Sequence, residues 1–188
     1  LKDREETLQK VIDQTGASAM HPYNDMDVIE GNSTATMELL EDYPDLDAIF
    51  APIGGGGLIS GACLAAKYFS NAKVYGAEPE GADDAYRSFQ KGEIIPMVNP
   101  QTIADGLRTS LGEIGFEIMK THLDSIFTVS ESEIISAMKW MWQKMKIIIE
   151  PSSAVPLAAL IKNHELFKDQ QVGIIISGGN VDLDNLPF

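Results

Sequence analysis

Three stretches of this 188-residue chain carry residue types whose spacing could do chemistry. The first is the run Gly54, Gly55, Gly56 and Gly57, which follows the apolar segment Ala48 to Ile53 and precedes Leu58 to Phe69. Glycine loses more chain entropy on ordering than any other residue, so four in succession mark a backbone that must adopt unusual dihedrals or let another group approach closely. The apolar segment has the length of a buried strand, and the segment after the glycines reads as helix. A helix start presents unpaired N–H groups and the positive end of a dipole, which makes a loop without side chains at that point an anion cradle. Two familiar phosphate loops fail on the letters. A dinucleotide loop wants G-x-G-x-x-G, but Ile59 or Ser60 stands at the sixth position; a Walker A loop wants Lys and a hydroxyl residue where Ala62 and Cys63 stand.

The second stretch is EPEGADD, in which Glu78 and Asp84 are six residues apart and offer carboxylate oxygens, either to a hard cation or simply to solvent on an acidic protein. The third is Ser177 followed by Gly178, Gly179 and Asn180, a turn after an apolar run. His21 has no second histidine at metal-ligand spacing and reads as a loop residue. Cys63 is the only cysteine; without a disulfide mate it reads as a core thiol and points to a reducing compartment, so a cytoplasmic location is expected.

Composition narrows the choice of partner. The chain has 28 acidic and 14 basic residues, a net charge of −14, which argues against nonspecific nucleic-acid binding and against an anionic membrane surface. No apolar run approaches the length of a membrane span. Small polar ligands and protein partners remain, and a homo-oligomer, a dimer, is expected.

The elements that must position these groups read as alternating strands and helices. The opening LKDREETLQKVIDQTG predicts a charged helix with Leu8, Val11 and Ile12 on one face and Gly16 as its stop. A helix from Thr34 to Asp42 leads into the strand before the glycines. Further strands are predicted at Lys73 to Ala77, Ser125 to Val129 and Gln171 to Ser177. Helices are predicted around Phe116 to His122, at Glu131 to Lys146 and at Ser152 to Asn163, and Asp84 stands where another helix starts. Ser130 and Glu133 form an S-x-x-E capping box. The stripe Ile134, Ile135, Met138, Met141, Trp142 and Met145 reads as core or subunit interface. The pattern is that of an α/β protein: an open, mainly parallel, twisted sheet with helices on both faces and ligands beyond the carboxyl ends of the strands.

Seven pieces of the sequence, in order, resemble the pyridoxal-phosphate enzymes of the serine racemase and threonine or serine dehydratase group, which share the tryptophan synthase β-type fold (fold type II). They are HPYND at 21–25, PIGGGGLISG at 52–61, YGAEPEGADDAY at 75–86, TIADGLRTSLG at 102–112, IFTVSESEI at 126–134, IIEPSSAVPLAAL at 148–160 and IISGGNVDL at 175–183. The resemblance implies that Gly54, Gly55, Gly56, Gly57 and the N–H of Leu58 bind the phosphate of pyridoxal phosphate. It implies that Ser177 meets the ring nitrogen, where a hydroxyl that donates a proton is too weak an acid to keep the ring charged. It also implies that Glu78, the carbonyl of Ala82 and Asp84 hold Mg²⁺ or Ca²⁺, an oxygen donor set suited to either ion. The activity implied is loss of water from a serine- or threonine-like hydroxy amino acid to give a 2-oxo acid and ammonia, or racemisation of the same substrate.

Two departures qualify the match. The family's Schiff-base lysine, in an S-x-K type motif, has no counterpart: Lys67 and Lys73 lie in helix and strand surroundings. The chain is therefore expected to be the carboxy-terminal, large cofactor-binding portion over 1–188, with no catalytic residue of its own and no turnover alone. GNSTATME at 31–38 also differs from the family's G-Q-G-T type sequence. Two other classes stay open, a nicotinamide-dinucleotide domain with Glu78 at the ribose, and a non-catalytic partner subunit with this fold.

Overall fold

A computed structural model describes residues 2–188, with side chains from residue 6 onward. Its centre is a four-stranded, wholly parallel sheet of β1 (Ala48–Pro52), β2 (Lys73–Pro79), β3 (Ser125–Val129) and β4 (Val172–Ile174), in the spatial order β3-β2-β1-β4. Parallel strands need crossovers, and α3 (Gly57–Phe69) supplies the one between β1 and β2. The remaining α-helices among the described residues are α1 (Lys2–Thr15), α2 (Met26–Asp42), α4 (Asp84–Lys91), α5 (Glu113–His122), α6 (Glu131–Met145) and α7 (Pro151–Lys162).

Strand alternation divides the core into two layers. Ala48 and Phe50 of β1 face a cluster with Met138, Ala154, Val155 and Ala158 of α6 and α7, while Ile49, Ala51 and Ile53 face Ile59, Ala62, Phe116 and Met119 of α3 and α5. Both faces are covered, which is why β1 is buried along its whole length and reads as an unbroken apolar run. Among the described residues, no helix is long and apolar enough to cross a membrane.

Most predicted elements appear within a few residues of their expected limits, and the differences have physical causes. α2 begins at Met26 rather than Thr34: Asp25 caps it by accepting the N–H of Asp27 at 3.0 Å. Gly31, Asn32 and Ser33 are weak helix formers, yet this part of α2 packs so tightly on α3 that a Cβ on Gly61 would lie 2.6 Å from the Ser33 nitrogen. β4 is three residues long rather than seven; after Ile175 donates to the Phe50 carbonyl at 2.9 Å the chain leaves the ladder and carries Ser177 into a loop. The apolar face of α1 is open to solvent at Leu8 and Val11. In α6, Ile134, Met138 and Met141 are core as predicted, whereas Met145 is exposed.

The capping box at the start of α6 forms. Ser130 accepts the Glu133 N–H, and Glu133 accepts the Ser130 N–H at 2.7 Å, at the end of the strand that borders the acidic loop. Removing such a cap costs on the order of 1 kcal/mol, so Ser130→Ala is expected to lower denaturant stability by about that amount without changing cofactor affinity.

Candidate functional site

The carboxyl ends of β1 and β4 open into one cleft of about 310 Å³, lined by Gly54 to Leu58, Tyr23, Asn32, Thr109, Glu150 and Ser177 among others. The glycine loop and Ser177, 123 positions apart in sequence, therefore face the same space. β4 pairs directly with β1, which is what brings them together.

The glycine loop has the chemistry of an anion cradle. Among the described residues, no acceptor takes the N–H groups of Gly54, Gly55, Gly56, Gly57 or Leu58, although nearby backbone groups are paired. Unpaired amides around a concavity at a helix start suit a phosphate. Gly56 sits at φ +92°, as the N-cap of α3, a conformation that side chains make costly. Gly55 is required for a different reason: a Cβ there would fall 2.3–2.5 Å from ring carbons of Tyr23, whose ring covers that side of the loop. The loop is tied to the next segment by the Gly112 N–H, which donates to the Gly55 carbonyl at 3.0 Å.

Two residues of the cleft, and one that supports it from behind, have no signal in local spacing. Tyr23 arrives from the loop before α2, where His21 Nδ1 accepts the Asn24 N–H at 2.9 Å and Asn24 Oδ1 in turn accepts from the Ile114 N–H at 3.0 Å. Glu150 precedes α7 and its Oε2 accepts the Asn180 N–H at 3.0 Å. Ser153, fully buried in the first turn of α7, reaches the residues after β4. The only hint of these in the sequence is the pair of motif pieces that contain them, HPYND and IIEPSSA. His21 proves to be a loop-closing acceptor.

The acidic loop is more enclosed than its composition suggests. Glu78 and Asp84 are both fully buried. Glu78 accepts the Ala85 N–H at 3.1 Å and the Tyr86 N–H at 2.7 Å. Asp84 Oδ2 accepts the Leu111 N–H at 3.2 Å, but Oδ1 is buried with no partner. Burial drives the Glu78 carboxyl well above the usual carboxylate range, with the Asp84 charge adding to it and the Tyr86 and Ala85 amides opposing it. Burial also raises Asp84, to about 6, against the pull of the Leu111 amide. No donor among the described residues bonds the Ala82 carbonyl. An orphaned carboxylate oxygen beside a second buried carboxylate and a free carbonyl fits an oxygen-seeking divalent cation. Among the described residues there is no cluster of three or more His, Cys, Asp or Glu side chains for a metal, so any such site would rest on two carboxylates and a carbonyl.

This burial removes Glu78 from the dinucleotide alternative, because a carboxylate engaged by two backbone amides and closed to solvent cannot bind a ribose. The cleft is lined by no lysine among the described residues. Lys67 and Lys73 lie instead around a separate cavity with Cys63, His122 and Asp124. Lys73 starts β2, at the amino end of the parallel sheet and so opposite the glycine loop. Cys63 is buried there, and desolvation with the Asp124 charge pushes its thiol up to about 12, which makes it an inert core thiol.

Comparison with known proteins places these features. A family model described as "Pyridoxal-phosphate dependent enzyme" matches residues 1–178. The β-hydroxyaspartate dehydratase of Paracoccus denitrificans (strain Pd 1222) is 51% identical over 186 residues, covering 98% of this chain and 59% of that protein. The serine racemase of Dictyostelium discoideum is 50% identical over 193 residues, covering 99% of this chain and 59% of that protein, and its crystal structure matches with a TM-score of 0.89. The structure of maize serine racemase matches with a TM-score of 0.93 at 41% identity, over 97% of this chain and 58% of that one. The chain thus spans about three-fifths of the length of these relatives.

Proposed function

This chain belongs to the pyridoxal-phosphate dependent enzyme family, and from that premise we propose that the complete protein is a lyase or racemase of small hydroxy amino acids. The substrates that fit are serine, threonine and, from the relatives' names, 3-hydroxyaspartate. In the lyase reaction the substrate loses its α-proton and its β-hydroxyl as water, and hydrolysis of the resulting imine returns the water to give a 2-oxo acid and ammonia. The observation that carries the proposal is the set of unpaired amides from Gly54 to Leu58 facing the same cleft as Ser177.

Each residue has a stated task. The five amides and the positive end of α3 hold the phosphate of pyridoxal phosphate, and the Tyr23 ring seals one side of that loop. Ser177 meets the ring nitrogen. Bound pyridoxal phosphate supplies the electron-withdrawing ring on which this chemistry depends. Glu78, the Ala82 carbonyl and Asp84 would hold Mg²⁺ or Ca²⁺ away from the cleft, and the ion would supply charge that orders the segment between β2 and α4. The α-proton is taken by a lysine that the cleft of this chain does not contain. Assembly as a homodimer and residence in the cytoplasm belong to the same proposal.

The test is to incubate the complete protein with pyridoxal phosphate and, separately, L-serine, L-threonine and threo-3-hydroxyaspartate. The 2-oxo acid, the ammonia and the chirality of the remaining amino acid are then measured. A turnover above the protein-free rate with at least one of the three is expected, together with the visible absorbance of lysine-bound cofactor. NAD binding with no such absorbance would overturn the proposal.

A further inference from the structure

Asn32 of α2 stands beside the glycine loop with its side chain unbonded. It lines the cleft together with Gly54 to Leu58. The residue is half-buried, and its carboxamide has no hydrogen-bond partner among the described residues. Its Nδ2 lies 3.3 Å from the point that a Cβ on Gly57 would occupy, so the donor end of the amide rests against the first turn of α3. Helix packing holds it there. A Cβ on Gly61, one turn further along α3, would fall 2.6 Å from the Ser33 nitrogen and 2.9 Å from the Asn32 carbonyl carbon, so the backbones of α2 and α3 meet at Asn32 itself. A side chain whose backbone is pinned in this way has less freedom to lose when it engages a ligand.

Charge gives this donor its weight. Among the described residues that line the cleft there is no Lys, Arg or His. A phosphate group there has three strongly accepting oxygens to satisfy, and neutral donors of this chain must meet them. Gly54 to Leu58 supply five unpaired amides, all from one stretch of backbone, and each phosphate oxygen has more than one lone pair. Acceptor positions therefore remain for a donor from outside the loop. Asn32 is the one side-chain amide among the described residues of the cleft. We infer that Asn32 is a further cofactor-binding residue, whose Nδ2 donates to the phosphate of pyridoxal phosphate from the α2 side of the loop. This assignment rests on the proposed phosphate role of Gly54 to Leu58 and adds to it a donor that one substitution removes without disturbing the loop backbone. It also gives GNSTATME at 31–38, which departs from the family pattern, a place in the site.

The test compares two ligands on the complete protein: pyridoxal phosphate, and pyridoxal, which keeps the ring and the aldehyde but lacks the phosphate. Affinity for each is read by titrating the absorbance of the lysine-bound species, which needs no turnover. Asn32→Ala is expected to weaken pyridoxal phosphate binding by about 10-fold or more, the scale of a hydrogen bond to a charged group, and to leave pyridoxal affinity within about twofold. Asn32→Asp sets a carboxylate against the phosphate and should weaken pyridoxal phosphate binding further, with pyridoxal again little changed. Alanine favours helix more than asparagine does, so the cofactor-free melting temperature of Asn32→Ala should not fall, and weak binding cannot be put down to lost fold. If Asn32→Ala weakens both ligands alike, Asn32 acts through packing alone; if it weakens neither, it does not touch the cofactor. Either result overturns the inference and leaves the glycine loop with its assignment. If the wild-type protein binds pyridoxal phosphate no more tightly than pyridoxal, the loop does not hold the phosphate, and the reading of the site fails with it.

Discussion

Gly55→Val in the complete protein is expected to weaken pyridoxal phosphate binding by about 100-fold or more, equivalent to roughly 3 kcal/mol, and to lower the melting temperature as well. From sequence, the added side chain is expected to intrude on the phosphate, leaving the fold largely intact. The structure moves the collision: the new Cβ falls 2.3–2.5 Å from ring carbons of Tyr23. Real Cβ atoms do not approach so closely, so either the ring leaves its place or the loop carrying the amides is displaced. Overpacking of this kind costs about 1–3 kcal/mol in stability. Because the effect passes through Tyr23, the double variant Tyr23→Ala/Gly55→Val should be more stable and bind more tightly than Gly55→Val alone, a coupling that additive contributions would not give. Absorbance titration and thermal melting of the four proteins in the cycle measure it. A Gly55→Val protein with wild-type affinity would show that the phosphate is held elsewhere.

What the sequence made legible follows from how locally each feature is encoded. The glycine run announces itself because strand, loop and helix start are contiguous from Ala48 to Phe69, and the unpaired amides are a property of that one segment. Glu78 and Asp84 are six residues apart across a single strand-to-helix turn, so their proximity needs no knowledge of the rest of the fold. Tyr23, Glu150 and Ser153 are the opposite case. Tyr23 and Glu150 reach the cleft from the segments before α2 and α7, and Ser153 meets Ser177 from the first turn of α7; helix packing and the pairing of β4 with β1 place them, and no local spacing pattern marks them. The start of α2 was hidden for a related reason: local propensity at Gly31 to Ser33 disfavours helix, and tight packing on α3 overrides it. The resemblance to a family named the ligands of the phosphate and ring, but the buried Ser153 hydroxyl 3.1 Å from Ser177 Oγ is supplied only by the three-dimensional arrangement.

The acidic loop carries the second large expectation, that Mg²⁺ or Ca²⁺ raises the melting temperature of the complete protein and that Asp84→Asn removes most of that response. Without a cation, two buried carboxyls share a site in which Asp84 Oδ1 has no partner. Burial raises the folded-state pKa of Asp84 from 3.8 to about 6. The folded state thus binds more protons than the unfolded state between those values, and metal-free stability falls as pH rises through that window and stays low above it. At about 1.4 kcal/mol per unit the penalty is on the order of 3 kcal/mol at neutral pH. A cation bound at 100 times its Kd contributes about 2.7 kcal/mol, enough to offset it, and should raise the melting temperature by on the order of 5 °C at neutral pH. The same addition should do little near pH 4, where protons already occupy the carboxyls. Asp84→Asn retains an acceptor for the Leu111 N–H and removes the buried charge, so its metal-free melting temperature should equal or exceed that of the wild type while its metal response falls by more than half. Cofactor absorbance should persist, because the loop lies outside the residues that line the cleft. If chelator, Mg²⁺ and Ca²⁺ all leave the wild-type melting temperature unchanged at neutral pH, the two carboxyls are held by protons and backbone amides alone, and the loop has no ion.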